Sequence, residues 1–98
     1  AINSPKTINS ALKNAKITVR ALPKSPLSWH NLAIAQGRNG EIAMANLSLA
    51  ELALLQNKMQ KAVLHANRAK KVLKANTAAH QRSLDIIKIC KKTGKKRC

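Results

Sequence analysis

Trp29 is the only large aromatic side chain in this sequence, which has no Phe and no Tyr. A core without them has to be filled by Ala, Leu, Ile and Val, whose short side chains meet only when two backbones come close. Helices crossing at about 8–10 Å satisfy that condition, with Ala or Gly at the crossing points and larger residues beside them. Sheets packed face to face need bulkier filling. Apolar residues make up 45% of the chain, enough to drive folding. Its 98 residues allow one domain at most, near the lower limit for a self-sufficient core. The expectation is a single all-α domain.

Five helices follow from the spacing of apolar residues and from the punctuation between them. Ser4-Pro5 reads as an N-cap followed by proline at the first helical position. Ile8, Ala11, Leu12, Ala15, Ile17, Val19 and Leu22 then recur at helical spacing up to Pro23. Pro23 and Pro26 bracket a break, because the residue before each proline is pushed out of the α region. A second helix opens at Leu27 or Ser28 and ends at Gly37-Arg38-Asn39-Gly40. The third runs from about Ile42 to Leu55, with Ala45, Leu49, Leu52 and Ala53 expected on its buried face, and stops at Gln56-Asn57-Lys58. The fourth covers about Met59 to Lys74. The fifth follows Asn76-Thr77 and reaches about Lys92. Breaks this short imply antiparallel neighbours. The helical domain is expected over residues 1–92, with a disordered basic tail over 93–98.

Self-similarity sharpens the expectation. The 34-residue tetratricopeptide (TPR) repeat opens its first helix with W-x2-L-G-x2-Y. Here Trp29-x2-Leu32-Ala33-x2-Gln36 fits, with Ala for Gly and Gln for Tyr. Gly40 falls in the turn, and Ala45 follows where the second helix needs a small residue. Pro23 stands where a repeat-ending proline would, and Ala62, Ala66 and Ala69 repeat the small-residue spacing after Asn57. Trp29 is then expected to fill the wedge between two helices of one repeat. The fold class is therefore all-α, with antiparallel helical hairpins in a TPR-like solenoid of about five helices. One register stays open: the helix 42–55 could close the repeat begun at Trp29 or open the one ending near Leu73.

The ordered run Pro26-x2-Trp29-x2-Leu32-Ala33, Gly37-x2-Gly40, Ala50-Glu51-x-Ala53-Leu54-Leu55 and Ala62-x3-Ala66-x-Arg68-Ala69 resembles the C-terminal TPR domain of bacterial family-48 (HtpX-like) zinc metallopeptidases. Leu47 to Leu55 is close to that family's LALAE-x-ALL centre. Arg82-Ser83-Leu84-Asp85-Ile86 is similar to its arginine and Asp-Ile close. The resemblance covers residues 8–88 and implies a non-catalytic interaction domain of a periplasmic protease, presenting substrate or docking partners. The catalytic HExxH is absent from these residues, so zinc is expected only in a parent catalytic domain, and no cofactor is expected in this fragment.

Lys and Arg number 19 against 3 Asp and Glu, a formal charge of +16. Most of the excess lies in the second half, along Lys58, Lys61, Arg68, Lys70, Lys71 and Lys74, and again along Lys88, Lys91, Lys92, Lys95, Lys96 and Arg97. Such a field attracts acidic protein, nucleic acid or anionic lipid. No aromatic side chain stands among these cations to stack on bases, and Lys outnumbers Arg, which disfavours bidentate recognition. His30, His65 and His80 lack a second ligand at i+3 or i+4. Glu41, Glu51 and Asp85 are too few for general acid–base chemistry, and Glu51 is expected to bond within its helix or to a nearby lysine. Cys90 reads as a small buried hydrophobe and Cys98 as a free terminal thiol. With no apolar run near the length of a membrane span, the chain reads as a soluble fragment.

The function expected is a non-catalytic protein- or peptide-binding domain, with Asn31, Gln36, Lys61, Arg68 and Lys71 lining the partner surface and an acidic or carboxylate-ended ligand suiting them best. The alternative is a stand-alone basic helical module that binds nucleic acid or an anionic membrane surface.

Overall fold

The computed structural model describes the backbone of residues 5–92 and the side chains of residues 9–92. Five helices follow one another: α1 (Pro5–Ala21), α2 (Pro26–Arg38), α3 (Ile42–Leu55), α4 (Met59–Val72) and α5 (Ala78–Lys92). No strand occurs among the described residues. The expected Ser4 cap and the 93–98 tail lie outside them. The third helix has the bounds expected of it. The second starts earlier, because Pro26 sits inside its first turn rather than in the break. Pro26 supplies a preset φ and lacks only an N–H that would have no helical partner there.

Two of the turns are built alike. Gly40 has φ +79° and Asn57 φ 58°, both left-handed. Each is followed by a residue whose N–H reaches back five positions, Glu41 to the Gln36 carbonyl (2.9 Å) and Lys58 to the Ala53 carbonyl (2.8 Å). Each also bonds three positions back, Gly40 to Gly37 and Asn57 to Leu54. This double bond closes a helix by satisfying its last carbonyls, and it requires a residue that tolerates positive φ. Asn76, with φ 72°, precedes α5 in the same conformation.

The helices stack in a row that measures 47 × 27 × 19 Å. Each packs on its chain neighbours, and the one further contact is between α3 and α5. α5 lies against both helices of the α3–α4 hairpin, the packing expected where α3 opens a hairpin, while α4 does not reach α2 and α3 does not reach α1.

Two apolar clusters result. Leu12, Ala15 and Val19 of α1 meet Leu32 and Ala35 of α2, with Trp29 at their edge. Leu47, Ala50 and Ala53 of α3 meet Ala62, Ala66 and Ala69 of α4 and Ile86 of α5. Ala50, Ala62, Ala66, Ala69 and Ile86 are wholly inaccessible. Alanine at every crossing point lets these backbones approach, as the lack of Phe and Tyr demanded. The buried face of α3 differs from expectation: Ala45, Leu47, Ser48, Ala50 and Ala53 are buried, while Leu49 and Leu52 are only partly so. Contacted by α2, α4 and α5, this helix carries no single apolar stripe. Trp29 is also not a fully buried wedge. Its ring lies against the α1–α2 cluster and its Nε1–H donates to the Pro23 carbonyl at 2.7 Å, tying the helix to the turn before it.

Candidate interaction surface

Acidic side chains are so few that their placement decides the electrostatics. All three have partners. Arg82 of α5 donates Nε–H to Oε2 of Glu51 on α3 (2.6 Å) and its terminal N–H to Oε1 (2.7 Å). Glu51 therefore bonds neither within its own helix nor to a lysine, as its sequence neighbourhood had implied. The carboxylate hydrogen bond, the largest influence, holds the Arg82 guanidinium further toward its charged form. Glu41 accepts from the Asn39 amide at 2.8 Å, and Asp85 from the Gln81 amide at 3.0 Å. Glu51–Arg82 is the one ion pair among the described residues. The remaining lysines and arginines there form no ion pair, and all but the partly buried Lys70 are exposed.

On α4 these cations fall into a pattern. Lys61 and Arg68, seven residues apart, project within about 20° of each other around the helix axis, with His65 about 40° from Lys61. Lys61 and Arg68 are exposed and His65 is partly buried. Behind the imidazole stands Asn46 of α3, whose Oδ1 lies 3.0 Å from His65 Nδ1. The Asn46 Nδ2 donates to the Ile42 carbonyl at 3.2 Å, which orients the amide and leaves Oδ1 as the acceptor. Neutral His65 must then carry its proton on Nδ1, and Nε2 presents a lone pair. Burial first, then the charges of Arg68 and Lys61, push the imidazole below its ordinary value.

The five residues expected to line a partner surface are not brought together. Lys61, Arg68 and Lys71 are exposed on α4, while Asn31 is exposed on α2, which does not touch α4. Gln36 is not on the surface at all. At 2% exposure it is buried between α2 and α3, and its amide oxygen accepts the Ser48 hydroxyl at 2.5 Å. It holds two helices together and cannot meet a ligand. His65 and Asn46 belong to the surface but were missed. The only sequence signal for His65 was its i+4 and i−3 spacing from Lys61 and Arg68, and Asn46 lies 19 residues away in sequence.

Elsewhere, a shallow depression of about 450 Å³ lies at the start of α5, lined in part by Asn76, Thr77, His80 and Leu84. Thr77 is engaged there with Lys74 and with the His80 N–H. No three His, Cys, Asp or Glu side chains gather among the described residues. No described helix is long and apolar enough to cross a membrane. Cys90 is inaccessible, as its spacing implied, but it is disulfide-bonded rather than a thiol; Cys98 lies outside the described residues. Compared with known protein families, curated proteins and solved structures, the chain matches none of them.

Proposed function

We propose that this chain is a non-catalytic interaction module of stacked helical hairpins that takes an acidic segment of another protein. The observation that carries the reading is the state of the charges: among the described residues every carboxylate has a partner inside the molecule, and the exposed cations of α4 have none. They project from a helix whose packed face is locked by Ala62, Ala66 and Ala69. A rigid row of unneutralised cations is complementary to a partner that brings its own carboxylates. Lys61, Arg68 and Lys71 form the contact; Asn31, on α2 and away from α4, takes no part in it.

Nucleic acid is the second reading, and the position of Trp29 weighs against it. The one aromatic ring able to stack on a base packs on the α1–α2 cluster with its N–H taken by Pro23, away from the α4 cations. As part of the same proposal, the module serves a zinc metallopeptidase of the bacterial envelope. That part stands on the resemblance of residues 8–88 and on the Cys90 disulfide, which suits an oxidising compartment.

Fluorescence anisotropy with labelled oligoglutamate and with a DNA duplex of equal charge, over a salt series, tests the reading. Peptide binding that persists at about 0.15 M salt, weakened by Lys61→Gln and Arg68→Gln, is the expected outcome. DNA binding with a steep salt slope and no peptide binding would overturn it.

A further inference from the structure

The imidazole of His65 stands along α4 between Lys61 and Arg68 of the proposed contact, with Asn46 of α3 behind it. We propose that Lys61, His65 and Arg68 of α4, backed by Asn46 of α3, form a carboxylate subsite in which His65 Nε2 takes up a proton from solvent as the carboxylate of an acidic peptide binds. The inference deepens the interaction-module reading and rests on it.

Three observations carry it. The residues occur at i, i+4 and i+7, so their polar ends point along one line on one helix face. The Asn46 amide, oriented by the Ile42 carbonyl, engages Nδ1 and leaves Nε2 as the imidazole atom free to change protonation. Among the described residues no carboxylate stands unengaged beside the cluster, and Glu41 is taken by the Asn39 amide. Glu51 of α3 is held by Arg82, and Asp85 of α5 by Gln81. The other titratable or cationic groups of α5, namely His80, Arg82, Lys88, Lys91 and Lys92, could only oppose protonation, and α3 carries no charge besides Glu51.

The free protein thus disfavours a third positive charge at this point, in line with the lowered affinity of His65 for its proton beside Arg68 and Lys61. A bound carboxylate reverses the sign of the local field. It neutralises Lys61 and Arg68 and accepts a hydrogen bond from protonated Nε2, giving three charged donors in a row. Linkage then requires binding to tighten as pH falls through the range where His65 titrates. His30 and His80, on α2 and α5, share the overall charge of the molecule but not this cluster, and serve as internal references.

The experiment is a nitrogen-15 NMR titration of the three imidazoles in the full chain, with and without saturating oligoglutamate, paired with affinities at two pH values. The titration midpoint of His65 should move upward with peptide while those of His30 and His80 move much less. Affinity should rise on the order of tenfold from about pH 7.5 to 5.5, and His65→Gln, which keeps an amide donor for Asn46, should flatten that slope without abolishing binding. Equal movement of all three histidines, or an undiminished slope in H65Q, overturns the subsite while leaving the module reading intact. No peptide binding at either pH overturns both. A DNA oligonucleotide that moves His65 where oligoglutamate does not would assign the cluster to phosphate and also overturn the proposal.

Discussion

Replacing Arg82 with Met removes the one bridge between the side chains of α3 and α5 that involves charge, and its cost can be worked from the geometry. Two charge-assisted hydrogen bonds of 2.6 and 2.7 Å join the groups, with the Glu51 side chain 13% exposed and the Arg82 side chain 41% exposed. A fully exposed ion pair contributes about 0–1 kcal/mol, and a sheltered bond to a charged group about 1.5–3 kcal/mol. Solvent screening at the half-exposed guanidinium brings the coupling to about 1.5 kcal/mol. The single substitutions should be unequal. Arg82→Met strands a mostly buried carboxylate and should cost about 2.5 kcal/mol, whereas Glu51→Met leaves a guanidinium that can turn to water and should cost about 1 kcal/mol. The double variant should be no worse than Arg82→Met alone, at about 2 kcal/mol. Against a total stability on the order of 5–15 kcal/mol these are large changes. Urea unfolding followed by far-ultraviolet circular dichroism gives all three free energies, and repeating it in about 1 M salt should shrink the coupling. A coupling below about 0.5 kcal/mol, or a costlier loss from Glu51→Met than from Arg82→Met, would refute the reasoning.

Other perturbations test separate parts of the structure. Ser48→Ala leaves the buried Gln36 amide oxygen without a donor and should lower stability by about 1–2 kcal/mol in thermal unfolding, most of it recovered when Gln36→Met is added. Gly40→Ala should cost about 1 kcal/mol although nothing lies within 4 Å of the added carbon, because the penalty comes from φ +79°. Asn57→Gly, at the equivalent turn, should gain about 0.5 kcal/mol in the same assay. Stability should also depend on pH through His65. Its folded value lies below the ordinary one, so between the two the unfolded chain binds more protons and stability rises with pH. That contribution is complete above about 6.5 and lost as pH falls through the folded value. Urea midpoints across this window should show the slope in the parent chain and less of it in His65→Gln.

What the sequence made legible were the features that act locally. Gly40 and Asn57 announced left-handed turns, and α3 between them had its expected ends. Pro26 was misplaced because the restriction it imposes falls on Ser25, while proline itself is welcome in the first turn. The buried face of α3 was misassigned for a tertiary reason: a helix contacted by α2, α4 and α5 shows no single stripe, and Leu47 and Ala50 point inward where Leu49 and Leu52 had been expected. Polar residues were hardest to read. Gln36 resembled a surface amide because its partner Ser48 lies 12 residues on, and Glu51 finds Arg82 31 residues away. The candidate site was half visible, since Lys61 and Arg68 stand out by charge, but the role of His65 depends on an asparagine from another helix.

The polar seam between the two apolar clusters makes the molecule a short chain of linked segments rather than a single drop. Leu12, Val19 and Leu32 cohere at one end, Ala50, Ala66 and Ile86 at the other, and Gln36–Ser48 lies where they join. In such a nearest-neighbour arrangement stability is a sum of segment and junction contributions, so disturbance at one end fades within a step or two. Backbone amides of α1, which touches α2 alone, should exchange with solvent first, and those of α3, gripped from three sides, last. A partner settling on α4 against α3 would thus meet the stiffest part of the row, and little motional freedom would remain to be lost on binding.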